Sequence, residues 1–430
     1  MGGTIQKSAG YTLFVLFLIN FLNFFDRALP GVVLEPLRKE FGLSDTLLGL
    51  LGTVFILIYA VAGIPLGRLA DRLRRGQILG AGVAVWSLFT GLAAVVTSFP
   101  GLLMARLGVG VGEASCAPAA NSMIGDLYPS QRRARALGLF MLGLPLGSLA
   151  CFALGGWLAQ QYGWRTPFLV AMVPGLLVAV LAWRLPEPPR GSQDQAANSA
   201  PVGNPFRQIL SIQTVWWIIA SGAAINFAAY SLNTFLPALL VRVHGLNVAQ
   251  AGGIAALVLG ATGLAGLTLG GVLADRLHQA YPRGRLLLGA IALLISAPLL
   301  WVGLTQPSGA VTALTVFLCA GWLLYFLYFV TVYPALQDVI EARLRATAMA
   351  VYFFFQYVLG GALGSLATGA LSDHFAKSAM AAASATEMTP AFKAIGLNQS
   401  LALAVPLAIL VTGLLLLFAA RSFVTDAARR

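Results

Sequence analysis

The sequence is short of charge. Only 10% of its 430 residues are Asp, Glu, Lys or Arg, against about 25% in a typical soluble protein. With 58% hydrophobic residues and a mean hydropathy of +0.83, that scarcity excludes an ordinary soluble globule and any sizeable soluble domain. Cysteine is scarce too. Cys116, Cys151 and Cys319 all fall in apolar runs and read as small packing residues, not as a disulfide framework. Histidine is limited to His244, His278 and His374, each near the end of an apolar run, so neither a metal site nor an imidazole relay within the membrane is expected. No nucleophile–base pair, metal-ligand cluster or nucleotide loop is present. Ser115 and Cys116 have no nearby histidine to activate them. An enzyme is not expected, nor a cofactor or a metal, and a transporter-shaped sensor has no soluble signalling domain to support it.

What is there is apolar length. A helical span needs about 20 apolar residues, and twelve candidate runs can be drawn. The first is too long for a signal peptide and lacks a small-residue cleavage site, so it is expected to stay as a span. The net charge of +12 invites a nucleic-acid reading, but its distribution argues for topology. Six of the 27 basic residues (Arg38, Lys39, Arg165, Arg242, Lys377, Lys393) fall in loops on one side, and Arg27 and Arg106 within spans. The remaining nineteen lie on the other side, which the positive-inside rule makes cytoplasmic, with both termini. The expectation is a multi-pass protein of a bacterial inner membrane, touching anionic lipid headgroups and no nucleic acid.

Charge inside the spans is therefore informative. Arg106-Leu-Gly-Val-Gly-Val-Gly-Glu113 lies in an otherwise apolar segment. Seven residues put Arg106 and Glu113 on one helix face, about 10 Å apart. The alternate glycines let a neighbouring backbone come close. Each buried charge costs about 3 kcal/mol on insertion scales, and such groups mark an ion or substrate path by default. The plain alternative is an ion pair that only fixes packing.

Span 1, about 11–33, carries Asn20, Asn23, Asp26 and Arg27, then Pro30-Gly31. Asp26 is about 22 Å from one end, and Arg106 about 8 Å from the opposite end of the antiparallel span 4. The two share a depth, with Glu113 nearer the midplane. Asp26, Arg106 and Glu113 are thus expected to form one cluster of buried charge. Arg27 points about 100° away from Asp26 and either faces a cavity or snorkels outward. Span 3 is plain. Span 5 is rich in small residues, Gly143, Pro145, Gly147, Ser148, Gly155 and Gly156, a surface that packs closely.

The chain also repeats itself. Gly67-Arg-Leu-Ala-Asp71-Arg72-Leu after span 2 returns as Gly271-Val-Leu-Ala-Asp275-Arg276-Leu after span 8. Asp126…Arg133-Ala after span 4 returns as Asp338…Arg345-Ala after span 10. Between the copies, a Pro-, Gly-, Ser-, Gln- and Asn-rich stretch reads as a linker. The expected architecture is an all-α membrane protein of twelve transmembrane helices in two pseudo-symmetric six-helix bundles. These comprise residues 1–186 and 207–430, with a cytoplasmic linker at 187–206. Gly67, Asp71, Arg72 and Arg75, with Asp126, Arg133, Asp275, Arg276, Asp338 and Arg345, are expected to shape a gate; the alternative is that they only set loop shape and topology. Gly67 is expected to permit close helix approach.

The second half lacks buried charge. It offers polar and aromatic side chains instead: Asn226, Tyr230 and Asn233 in span 7, Trp322 and Tyr325 in span 10, Gln356 in span 11. With Asn23, Arg27, Tyr59 and Arg106 they are candidate cavity residues. Core packing or an interfacial belt is the alternative for the aromatic stripe.

Twelve spans, a central linker, two Gly-x-x-x-Asp-Arg turns and Arg106-x-x-x-Gly110 resemble the major facilitator superfamily. Asn20-x-x-Asn23-x-x-Asp26-Arg27, Gly108-Val-Gly-Val-Gly112-Glu113-Ala-Ser115 and Asp126-Leu127 are similar to the spinster-type lysolipid transporters. Ser372-Asp373, at the end of span 11, adds to that likeness in the second half. Span 5 departs from the superfamily's antiporter motif, because Leu144 separates Gly143 from Pro145; antiport and symport stay open. The resemblance implies alternating access, with the two halves rocking about a site at their interface, and a proton-linked role for Asp26, Arg106 and Glu113. The expected function is proton-coupled transport of a lysolipid or related amphipathic anion by a monomer. A small hydrophilic organic anion, or drug efflux, is the alternative cargo.

Overall fold

The computed structural model describes residues 2–190, 205–281, 283–341 and 344–428. Eleven helices among them are long and apolar enough to cross a membrane. They are spans 1 (Ala9–Val32), 2 (Asp45–Ala70), 3 (Arg75–Ala93), 5 (Arg135–Tyr162), 6 (Thr166–Trp183) and 7 (Gln213–His244). The others are spans 8 (Val248–Ala280), 9 (Gly284–Leu304), 10 (Val311–Asp338), 11 (Thr347–Ala382) and 12 (Pro390–Ala428). Among the described residues there is no strand, so the all-α membrane expectation stands.

Span 4 is the correction to twelve continuous helices. It runs as Phe99–Glu113 and then Cys116–Leu127. Ser98 opens it as an N-cap, accepting the Gly101 N–H, with Pro100 in the first turn, where a missing N–H is harmless. The break falls directly after Glu113. Ala114 and Ser115 take φ, ψ of −61°, −18° and −74°, −23°, values of a 3₁₀ turn. Ser115 donates twice to the Gly112 carbonyl, by N–H at 3.3 Å and by Oγ at 2.8 Å. Such back-bonding bends helices, and tight turns within helices often mark hinges.

Among the described residues the chain divides into two compact units. One comprises Met1–Phe41, Val54–Ser199 and Val248–Ala256; the other comprises Gly42–Thr53, Ala200–Asn247 and Leu257–Arg430. In the first, the glycine face of span 5 lies on span 1. A methyl group on Gly143 would come within 2.7 Å of the Phe21 nitrogen, so these backbones touch. Asn20 Nδ2 donates to the Phe140 carbonyl at 2.8 Å across the same contact. In the second unit span 11 lies on span 7 in the same manner. A methyl on Gly360 would meet Asn226 Cβ at 2.8 Å, and one on Gly364 would meet Phe227 Cα at 3.1 Å. Gly147, four residues after Gly143, meets span 1 in the same way, with a methyl there 3.1 Å from the Phe25 nitrogen. Both glycine pairs are four residues apart, one helical turn, so the repeat extends from the sequence to the packing.

Spans 5, 8 and 11 each contain a π-helical turn, at Cys151–Gly155, Ala256–Ala261 and Gln356–Gly361. The π turn inserts a residue and re-aims the following face, and it is frequent at functional sites. Gln356, a candidate cavity residue, begins one of them. Of the expected linker, residues 191–204 lie outside the described residues.

Candidate functional site

The charged residues of spans 1 and 4 meet inside the first unit. Asp26 is 3% exposed, Arg106 4% and Glu113 0%. Arg27, whose direction helical phase left open, turns inward: its Nε donates to Glu113 Oε2 at 2.8 Å, one of the two acids within the expected reach of Arg106. Arg106 Nη1 reaches the main-chain oxygen of Asp26 at 3.4 Å. Arg106 remains close enough to bear electrostatically on both acids, and Asn23 lies against Glu113. Asp26 and Arg106 therefore share a depth, as their distances from the helix ends predict.

Aromatic rings complete the enclosure. The Arg27 guanidinium lies 4.4 Å from the Tyr59 ring centroid, 5.1 Å from Phe24 and 5.4 Å from Phe55. Arg106 lies 4.7 Å from the same Phe55 ring. One ring thus borders both cations, and a ring face attracts each of them. Gly110 makes this possible, since a methyl there would stand 3.0 Å from the Phe55 carbonyl oxygen. Tyr59, a candidate cavity residue, is thus a ring partner of Arg27; Phe24 and Phe55 carry no polar atom and gave no signal.

The repeated turns form a pair of related clusters. Arg75, fully buried, donates from Nη1 to Asp126 Oδ2 at 2.5 Å and to Ser122 Oγ at 2.7 Å. Its Nε and main-chain N–H bind the two oxygens of Glu187 at 2.7 and 2.8 Å, and Nη2 binds the Pro188 carbonyl at 2.9 Å. In the second unit Arg285 bridges Asp275 at 2.9 Å and Asp338 at 3.2 Å. Arg285 was missed because it sits ten residues after Asp275, whereas Arg75 is four after Asp71. Arg133 donates to the Tyr128 and Gly125 carbonyls, and Arg345 to the Gln337 carbonyl. Each arginine caps the end of the preceding helix, where carbonyls are unpaired and the dipole favours a cation.

Three expectations for these turns are corrected or left open. Gly67 is no close approach: a methyl there would stand 3.8 Å from Pro118, and one on Gly271 would meet nothing within 4 Å. Arg72 and Arg276 are exposed, and their expected part in a gate stays open. The Asp71 side chain lies outside what is described.

The candidates of the second unit are packed against one another. Asn226 donates to the Gln356 carbonyl at 3.0 Å, and Asn233 to Ala229 in its own helix at 2.7 Å. Trp322 stacks on Tyr325 with centroids 4.1 Å apart and an 8° interplanar angle. Tyr230 meets Tyr357 edge-on. A cavity of 510 Å³ opens beside spans 7 and 12, lined by Gln213, Trp217, Phe418, Arg421 and Asp426 among others. None of the candidate site residues lines it.

A further ion pair escaped the sequence. Arg242, assigned to a loop, stands in the last turn of the span 7 helix. Its Nη1 donates to Asp45 Oδ2 at 2.8 Å with both side chains about 5% exposed or less. Ser372 Oγ donates to the same Asp45 oxygen at 2.6 Å. Asp373 accepts the N–H groups of Asp45 and Thr46 at 3.1 and 2.9 Å, capping the start of span 2 from span 11. The two acids are 328 residues apart, which no local pattern encodes.

The model of the Major Facilitator Superfamily matches residues 16–365. An MFS-type efflux pump of Mycolicibacterium smegmatis is 34% identical over 367 residues, 84% of this chain and 83% of its own. The human protein spinster homolog 1 is 32% identical over 395 residues, 84% of this chain and 72% of its own. A crystal structure of a bacterial homolog to the human lysosomal transporter Spinster, inward-facing and unoccupied, is 30% identical. It has a TM-score of 0.85 and covers 97% of this chain and 98% of that one. A D-xylose-proton symporter has a TM-score of 0.68 at 17% identity, a likeness of fold alone. With the glycine-paired helices and the doubled turns, these matches establish that the chain belongs to the Major Facilitator Superfamily, as a multi-pass membrane transporter resembling the spinster homologues.

Proposed function

We propose that the protein is a proton-coupled secondary transporter that moves a lysolipid or related amphipathic anion by alternating access. The observation that carries the reading is the Asp26, Arg27, Arg106, Glu113 cluster, two acids and two guanidiniums buried together in one unit. Arginine keeps its charge, so the acids are the members that can exchange a proton. Burial disfavours an ionised carboxylate and a nearby guanidinium favours it. A substrate headgroup that draws Arg27 or Arg106 away from the acids changes their hold on protons, and this couples cargo to proton. The guanidinium fork suits a phosphate or carboxylate headgroup. The aromatic side chains Tyr230, Trp322 and Tyr325, with Asn226, Asn233 and Gln356, supply the apolar wall and polar points that a lipid chain and its linkage require.

The same reading places both termini on the cytoplasmic side of a bacterial inner membrane, with bundles at 1–186 and 207–430 and a linker at 187–206. The protein works as a monomer. Asp71, Arg72, Arg75, Asp126, Asp275, Arg276 and Asp338 serve the gate, with Arg133 and Arg345 holding its helix ends.

A second reading, drug efflux, is favoured by the identity to the mycobacterial efflux pump. Proteoliposomes with an internal pH dye separate the cargoes. Addition of a lysophospholipid is expected to move protons, and Glu113→Gln to abolish the flux. A response to a hydrophilic phosphate or a cationic drug alone discards the lipid cargo and keeps the cluster's role. Flux unchanged in Glu113→Gln and in Asp26→Asn overturns the coupling.

A further inference from the structure

Span 3 reads as a plain apolar helix, yet it supplies polar atoms to the acid of span 1. It can do so because spans 3 and 4 touch through their glycines. A methyl on Gly112 would stand 2.7 Å from both the Gly82 carbonyl oxygen and the Trp86 nitrogen, and one on Gly108 would overlap the Phe89 ring. This approach carries Trp86 and Thr90, one turn apart on one helix face, to the Asp26 carboxyl group. Trp86 is 0% exposed and Thr90 2%. Asp26 Oδ1, Trp86 Nε1 and Thr90 Oγ1 are all buried, and each lacks a hydrogen bond of good geometry in this arrangement. An acceptor, a donor and a group that is both thus stand together, each short of a partner. Buried polar atoms are nearly always paired, so this set is poised to bond when Asp26 changes state.

We propose that Trp86 and Thr90 are positioning residues for Asp26, two neutral groups of span 3 that hold its carboxyl in both protonation states. The indole N–H can only donate, so it binds an oxygen that carries no proton. The threonine hydroxyl donates to a carboxylate and accepts from the O–H of a carboxylic acid. When the proton leaves, both groups donate. When it returns, Trp86 keeps the carbonyl oxygen and Thr90 turns to accept. The other groups facing Asp26 are Glu113 and Arg106 of span 4 and Cys151 of span 5, with Arg27 next to it on its own helix. None of these is a neutral group that exchanges the roles of donor and acceptor as readily as a hydroxyl.

The inference rests on the proton-coupled reading, so its test begins with Asp26→Asn. Proton flux driven by an added lysophospholipid in liposomes is measured across pH for the native protein, Asp26→Asn, Thr90→Val, Thr90→Ser and Trp86→Phe. Asp26→Asn is expected to remove the pH dependence. Thr90→Val keeps the shape and removes the hydroxyl from both forms, but the ionised form loses the stronger, charge-assisted bond. Its midpoint is expected to move to higher pH by about half a unit, roughly threefold in proton affinity. Trp86→Phe is expected to move it in the same direction, and Thr90→Ser to restore the native midpoint. Infrared difference spectra give a second readout: the carboxylic acid band that is lost in Asp26→Asn is expected to change frequency in Thr90→Val. If Asp26→Asn keeps the native pH dependence, this inference falls, and the coupling reading falls with it only if Glu113→Gln keeps the native flux as well. If Asp26→Asn removes it while Thr90→Val and Trp86→Phe leave midpoint and band unmoved, only the role of span 3 falls.

Discussion

Arg27 Nε and Glu113 Oε2 lie 2.8 Å apart across 86 residues of sequence, with side-chain exposures of 9% and 0%. The two residues come from different helices, and the pair is enclosed by Phe24, Phe55 and Tyr59. Solvent does little to screen such a pair, so removing either partner deprives the other of a charge-assisted hydrogen bond.

That gives the first prediction. Arg27→Gln leaves the Glu113 carboxylate without its hydrogen-bonded cation and is expected to destabilise the protein by about 3 kcal/mol or more, as broken buried pairs do. Arg27→Gln with Glu113→Gln replaces the pair by two amides and is expected to recover most of the loss. Thermal unfolding of the purified protein in detergent, run as a double-mutant cycle, measures the coupling. Strictly additive losses would show that the pair contributes nothing to stability.

The twofold turn predicts an asymmetry. Arg75 is wholly buried between Asp126 and Glu187, whereas Arg285 binds partners that are 35% and 69% exposed. Exposed pairs contribute about 0–1 kcal/mol, and loss of one partner of a buried pair costs about 3–5 kcal/mol. Arg75→Gln is expected to lower the unfolding temperature clearly, and Arg285→Gln to leave it nearly unchanged. The same melting assay on both variants decides it.

How far the sequence carries can be judged from these residues. The depth of Asp26 relative to Arg106 follows from distances to helix ends, local quantities that periodicity supplies, and the two do meet. The doubled turns are legible because a repeat copies both residues and spacing. Arg27 was undecided because helical phase alone does not say which face meets a neighbour. Trp86 and Thr90 were passed over because isolated polar or indole groups in an apolar helix carry no pattern. The break after Glu113 was missed because Ala114 and Ser115 are tolerated in helices; only the hydroxyl bond to Gly112 reveals the turn. Partner choice across hundreds of residues, as for Asp45 and Arg242, is a property of packing and has no trace in local sequence.

The Asp45 site predicts a coupled loss within the second unit. Asp45 Oδ2 accepts from Arg242 and from Ser372. Asp45→Asn keeps a carbonyl for one of these donors but removes the charge. It is expected to cost about 3 kcal/mol, because the buried Arg242 loses the charge of the acid that its Nη1 binds. Ser372→Ala removes one hydrogen bond to a charged acceptor, and about 1.5–3 kcal/mol is expected. Unfolding in detergent with Arg242→Gln as background separates the two: the cost of Asp45→Asn is expected to shrink there, while that of Ser372→Ala changes less.

The glycines allow the sharpest contrast. A methyl on Gly112 meets backbone atoms of span 3 at 2.7 Å. Backbone cannot rotate away as a side chain can, so Gly112→Ala must force spans 3 and 4 apart. Overpacking of this kind costs about 1–3 kcal/mol, and here it also displaces Glu113, the next residue. Gly138, in span 5, has open space around its own Cβ position. Gly138→Ala is expected to be neutral or to stabilise by up to about 1 kcal/mol, because alanine favours the helix over glycine. Unfolding temperature and substrate-driven proton flux are measured on both variants. The expected result is loss of both in Gly112→Ala and retention of both in Gly138→Ala. If Gly112→Ala kept native flux, the close approach of spans 3 and 4 would not be what positions Glu113.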